Sequence, residues 1–437
     1  MSAPLPPAGP PSEGSTKLTG YQIRLFVFLS VATLFEGYDF FALAQVLDSI
    51  QEEFGLSKFA VTGLTAFINA GTILAYLLVR KADRWGRRRV LTVTILGYTL
   101  FTLFSGLSTT VWMFAVTQFV ARIFLIAEWA TAMVYAAEEF PADRRGMVIG
   151  VLQAFSSLGA IICAGVVPLL LKLSFTWGGE TVVPGWRSVY FVGVVPLLIL
   201  AFARRNLKET SRFLEQKEAA ASAPKTSFFA IWRGPYRRRV LELGAIWFAT
   251  YACTQNAVHF WKIFAKQDAG WTDGEVGKAL TIAAVVSLPL IFLSGKLLDV
   301  IGRRWGAVVI YLSLVFGIFA AYTPGLPPLV LGIGLTISVF GVTAVLSVLN
   351  AFTSELFPTE LRGDAFAWTN NLLGRLGYVL SPLLIGVLAE RLDSWGGAIK
   401  PTAIFPIIAL VLIWIFLPET KGKELEETAG LSGGGNG

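Results

Sequence analysis

The chain has 437 residues, 54% hydrophobic and only 15% charged, where soluble domains carry about 25% charged residues. Its 36 Lys and Arg against 29 Asp and Glu leave a net charge of +7, but the basic residues fall in short connections between apolar runs, a mark of membrane topology rather than of nucleic-acid binding. The two cysteines, Cys163 and Cys253, sit inside apolar runs; with one histidine and no nucleophile or metal motif, a disulfide framework, a metal centre and an enzyme all lack the residues they need.

Residues 1–20 are rich in Pro, Gly and Ser, lack the basic-then-apolar pattern of a cleaved leader, and predict a disordered cytoplasmic tail. Apolar runs long enough for a bilayer core of about 30 Å then recur along the chain. Twelve spans are expected, over 22–46, 59–79, 90–108, 112–137, 147–171, 187–203, 240–264, 276–297, 306–322, 328–354, 365–389 and 401–417. They group into an amino-terminal bundle (21–203), a basic linker (204–238), a carboxy-terminal bundle (239–418) and a second cytoplasmic tail (419–437). The predicted fold is an all-α membrane protein of about twelve transmembrane helices in two six-helix pseudo-symmetric bundles. Most Lys and Arg of the connections lie on the side of the termini and linker, so both termini are expected in the cytoplasm of a multi-pass protein of the plasma (inner) membrane.

An ionisable residue inside a span is costly, and each is a functional candidate. Span one holds Glu36 and Asp39, three residues apart and so expected on one helix face. Two such carboxylates repel when both are ionised, which suits a site that loads and releases a proton. Span four holds Arg122 and Glu128, about 120° apart around the helix, so each needs a partner elsewhere; the span-one acids are the natural partners for Arg122. In span seven Tyr251, Gln255, His259 and Lys262 form one polar stripe, which must face a cavity or other helices. His259 could sense pH or serve as a neutral hydrogen-bonding group near the outer surface, and Lys262 is expected to snorkel outward. Span eleven sets Asn371, Arg375 and Tyr378 on one face, where a guanidinium suits a carboxylate. Asn69, Gln153, Trp368 and Asn370 are softer candidates.

Two signatures repeat. Asp83-Arg84-Trp85-Gly86-Arg87-Arg88 after span two returns as Asp299-Val300-Ile301-Gly302-Arg303-Arg304 after span eight, 216 residues later. Phe140-Pro141 with Arg145-Gly146 returns as Phe357-Pro358 with Arg362-Gly363, 217 residues later. Six-plus-six repeats are a transporter architecture with its site between the halves. At these residues the chain resembles the major facilitator superfamily, whose loop signature is complete at Gly295, Asp299, Gly302, Arg303 and Arg304, while Val79 replaces the first glycine in the amino-terminal copy. Glu209-Thr210-Ser211-Arg212 and Pro418-Glu419-Thr420-Lys421-Gly422 resemble the sugar-porter side of the superfamily and its organic-ion relatives; Glu128-Trp129 and Gly374-Arg375-Leu376-Gly377 resemble its metabolite, aromatic-acid and monocarboxylate proton symporters.

The resemblance implies an Asp39–Arg122 pair of the kind proton-coupled sugar porters carry, and a gating or bracing role for Asp83, Arg84, Gly86, Arg87, Gly295, Asp299, Gly302 and Arg303. Glu139 and Glu355, with Arg145 and Arg362, read as the same kind of brace. It also implies a monomer. The function expected is proton-coupled symport of a small organic anion by alternating access: Asp39, Glu36 and Glu128 for the proton; Arg122, Arg375, Gln255, Tyr251, Asn371, Tyr378 and His259 for substrate. No cofactor is expected beyond the coupling proton. The alternative is a sugar or polyol carrier, favoured by the Pro-Glu-Thr-Lys-Gly motif but lacking the paired glutamines of that group in span seven, where Gln255-Asn256 stands.

Overall fold

A computed structural model describes residues 18–177, 180–183, 185–203, 207–210, 229–422 and 428. Most of the predicted tails and of the linker therefore lie outside the described residues, as does the Ser211-Arg212 end of the motif after span six.

Eleven of the helices among the described residues are long and apolar enough to cross a membrane. Spans one to six are Gly20–Glu53, Lys58–Trp85, Arg87–Gly106, Val111–Glu139, Ala142–Leu170 and Trp186–Ala203. Spans eight to ten are Asp273–Ile301, Arg303–Ala321 and Pro328–Glu355. Span seven is the twelfth, more polar than the rest because of its stripe and cut into Arg237–His259 and Trp261–Gln267. Span eleven is also composite: helix Thr359–Phe366, a π-helical stretch Ala367–Gly374, then helix Leu376–Leu392. Span twelve runs from Trp395–Ile399 through a 3₁₀ turn, Lys400–Ala403, into Ile404–Phe416. One small feature departs from the all-α expectation: antiparallel strands β1 (Phe175–Trp177) and β2 (Glu180–Val183) join spans five and six.

Local chemistry sets the helix starts. Thr19 caps span one in a reciprocal box with Gln22, and Thr272 caps span eight in the same way with Glu275, each satisfying two otherwise orphaned groups. Within the amino-terminal half, span one lies on spans five and six, span three on four and six, and span two on four. Spans one and five touch backbone to backbone: a Cβ at Gly159 would fall on the Leu34 carbonyl, and one at Gly37 on the Ser156 carbonyl. In the other half, span seven packs on spans ten, eleven and twelve, and span nine joins ten to twelve.

The repeated loop signatures fold into repeated devices. Gly86 and Gly302 both turn the chain at φ near +97° and +96°, a region that favours glycine. Arg87 then reaches Glu138 with Nη2 at 2.9 Å, Thr210 donates to the same carboxylate at 2.7 Å, and Glu209 accepts the Arg87 amide at 2.8 Å. In the second half Arg303 reaches Glu355 at 2.9 Å, Thr420 donates to it at 2.5 Å, and Glu419 accepts the amides of Arg303 and Arg304 at 2.8 and 2.9 Å. Asp299 adds an ion pair to Arg303 at 2.7 Å. The acid that braces the first half is therefore Glu138, not Glu139; an offset of 217 from Glu355 leads to it. Gly295 meets no neighbouring atom that would require a glycine. The side chains of Asp83, Arg84 and Arg145 lie outside the described residues.

The two halves meet where span two lies on span eleven and span five on span eight. On the face away from the termini they are closed. Lys58 pairs with Asp393, the Phe59 amide donates to Glu390 at 2.9 Å, and Gln267 donates to Gln51 at 2.8 Å. Gly386 lets span eleven approach Phe59 and Thr62, and Gly277 lets span eight approach Ala164 and Pro168.

Candidate functional site

A cavity of about 540 Å³ lies between the halves, within the size range that holds a small ligand. Spans one, two, four, five, seven, ten and eleven line it. Of the residues singled out in the sequence, Glu36, Tyr251, Gln255, His259, Asn371, Arg375 and Tyr378 face it, as do the softer candidates Gln153 and Asn370. Glu36 and Arg375 are its two charged groups among the described lining residues.

Asp39, Arg122 and Glu128 stand behind this wall. The two span-one acids diverge, because three residues advance a helix by 300° and leave the side chains about 60° apart. Glu36 takes the cavity side. Asp39 turns to span three, where its Oδ2 accepts from Tyr98 and, at 3.3 Å, from Thr102. Its Oδ1 is buried without a hydrogen-bond partner among the described residues. The direct Asp39–Arg122 pair implied by the resemblance does not form in this conformation. Arg122 instead lays its guanidinium over the Phe40 ring, 4.7 Å from the centroid, and its Nη1 is buried without a hydrogen-bond partner among the described residues. Glu128 accepts from Thr94 of span three.

The carboxy-terminal wall is aromatic and amide-rich. Tyr251 and Tyr378 stack with centroids 4.3 Å apart, and Tyr251 donates to Asn370 at 3.1 Å. The π-helical stretch ends at Arg375, whose amide donates to the Asn370 carbonyl at 3.1 Å, and the widened turn presents Asn370, Asn371 and Arg375 to one cavity. Arg375 Nη1 makes a long 3.4 Å bond to the Thr72 carbonyl across the halves, and its Nε is buried with no hydrogen-bond partner among the described residues. Asn69 is not a cavity residue: it donates to the Tyr378 carbonyl at 3.1 Å and ties span two to span eleven. Trp368 packs against Phe229 and Trp232, away from the cavity.

His259 lines the cavity at the break in span seven, with Nε2 buried and without a hydrogen-bond partner among the described residues, rather than lying at the outer surface. Lys262 does not snorkel; it is 2% exposed and held in ion pairs. Sequence reading missed Tyr76, Trp129 as a wall residue, Asn350 and Phe366. Asn69, Thr72 and Tyr76 recur at helical spacing along span two, and Thr343, Ser347 and Asn350 along span ten, so both polar faces were visible in principle.

A membrane-spanning helical bundle of two related halves around a central cavity is the architecture of a secondary transporter, not of an enzyme. The chain belongs to the Major Facilitator Superfamily, whose family model matches residues 29–374 and, a second time, 248–432. It is similar to the sialic acid transporter NanX of Escherichia coli, 25% identical over 393 residues that cover 88% of this chain and 92% of that protein. It is also similar to the cis,cis-muconate transport protein of Acinetobacter baylyi, 26% identical over 405 residues that cover 84% and 87%. In fold it matches the inward-open xylose transporter XylE of E. coli with a TM-score of 0.74 at 20% identity, over 94% of this chain and 99% of that one.

Proposed function

We propose that the protein carries a small organic anion across the membrane by proton-coupled symport and alternating access. The observation that carries this reading is Arg375, a buried guanidinium with an unsatisfied Nε facing a cavity walled by stacked tyrosines and side-chain amides. A carboxylate would satisfy that fork, and an apolar wall would hold the rest of a small acid. Relatives named for sialic acid and cis,cis-muconate transport, both carboxylates, favour the same class.

The proton is assigned to span one. Asp39 is buried against the hydroxyls of Tyr98 and Thr102, behind the cavity wall, and Arg122 lies over the ring of the next residue, Phe40. Glu36 faces the cavity. Protonation of Asp39 removes the charge that restrains Arg122, so the charge state of the amino-terminal half follows the proton while Arg375 in the other half follows the substrate. Closure around a neutralised cluster avoids burying an uncompensated charge. With the termini assigned to the cytoplasm, the closed face is the extracytoplasmic one.

The test is uptake of radiolabelled acids and sugars into proteoliposomes, with and without an inward proton gradient. Gradient-stimulated uptake of a carboxylate is expected. Uptake confined to sugars or polyols, the reading that Pro418-Glu419-Thr420-Lys421-Gly422 favours, would overturn the organic-anion assignment.

A further inference from the structure

Two lysines and two aspartates interlock on the closed face. Lys262 Nζ stands 3.0 Å from Asp273 and 3.4 Å from Asp48; Lys266 Nζ stands 2.6 Å from Asp48 and 3.1 Å from Asp273. Lys262 also donates to the Gln45 carbonyl at 2.5 Å. The Lys262 and Asp48 side chains are 2% and 6% exposed. Three of the four charges belong to spans seven and eight; Asp48, on span one, is what the other half contributes. Lys262 lies one helical turn beyond the cavity residue His259, across the break at Phe260.

Charge arithmetic decides what this quartet becomes when the face opens. Closed, it is neutral. Once span one withdraws Asp48, Lys262 and Lys266 remain with Asp273 alone, leaving one surplus cation at the mouth of the path to the cavity. That surplus positive charge beside the path to the cavity attracts anions, so the open face favours an anion in the place of Asp48.

We propose that Lys262 and Lys266 form a capture subsite for the carboxylate of an arriving substrate, and that Asp48 fills it in the closed state as the chain's own stand-in. The proposal rests on the organic-anion reading above. Capture and closure then exchange like for like: when span one brings Asp48 back to the lysines, the substrate carboxylate is displaced inward, past His259 toward Arg375.

A simple latch makes a different prediction. If the quartet did nothing but hold the face shut, losing either sign would act alike, and Asp48→Asn and Lys266→Gln would change transport in the same direction. A capture subsite requires opposite signs. In full-length protein in proteoliposomes, Asp48→Asn should lower the external KM for cis,cis-muconate or sialic acid, and Lys266→Gln should raise it. A substrate-free readout accompanies this. With Cys163 and Cys253 replaced by alanine and Gln51→Cys as reporter, Asp48→Asn should favour an anionic methanethiosulfonate sulfonate over its trimethylammonium counterpart by about tenfold. Adding Lys266→Gln should erase that preference. Like-signed KM shifts, or labelling indifferent to reagent charge in Asp48→Asn, would overturn the proposal. If uptake proves confined to sugars or polyols yet the charge preference appears, the organic-anion reading fails while the anion-selective mouth stands.

Discussion

At the scale of single residues, the division of labour between Glu36 and Asp39 follows from 60° of helix rotation. One carboxylate faces the cavity; the other is held by Tyr98 and Thr102. Asp39→Asn keeps the shape and the acceptor oxygen but cannot ionise. It should abolish uphill, proton-driven accumulation and leave substrate exchange measurable in the same vesicles; undiminished accumulation would remove Asp39 from the coupling role. Arg375→Lys replaces a two-pronged, permanently charged donor with a point charge. The loss of one charge-assisted hydrogen bond corresponds to about 1.5–3 kcal/mol, roughly ten- to hundredfold in anion affinity. A binding titration at constant pH reads it, and a thermal melt of the same sample shows whether folding is spared.

At the scale of elements, the repeated brackets are the clearest product of the internal duplication. Each joins an arginine after a left-handed glycine to an acid at the end of the fourth or tenth span and to a Glu-Thr pair after the sixth or twelfth. Partial burial works to raise the pKa of Glu419, but the amides of Arg304, Arg303, Lys421 and Thr420 outweigh it and hold the carboxyl below its ordinary value. A lowered pKa contributes stability above the unfolded value of about 4.3, and that contribution is lost as pH falls through the lower folded pKa. Glu419→Gln should therefore lower the melting temperature at neutral pH, and the gap from wild type should narrow as pH falls below about 4. A constant gap across that window would mean that shape, not charge, makes the bracket.

At the scale of the whole molecule, the closed face depends on small residues as well as on charges. A side chain at Gly386 would strike Phe59 and Thr62 of the other half. Gly386→Val should disfavour closure without disturbing either bundle internally, since the obstruction lies between them. Cysteines at Lys58 and Asp393, an ion pair across the same face, should then cross-link more slowly in Gly386→Val than in its parent. Unchanged cross-linking, with a normal melting temperature, would show that the glycine is not what permits the approach.

The sequence by itself determined the spans, the duplication and the families of polar residues, because each leaves a local signal: an apolar run, a fixed offset, a helical stripe. Tyr251, Gln255 and His259 were found by spacing and share one cavity for that reason. What the tertiary structure decided is partnership. Arg122 over Phe40 rather than bonded to Asp39, Glu138 rather than Glu139 as the brace, and Lys262 locked to Asp48 across the halves depend on how helices distant in sequence rotate against one another. A burial pattern fixes which face of a helix turns inward. Which side chain of the neighbouring helix it then meets depends on the packing of both, and no local spacing encodes that.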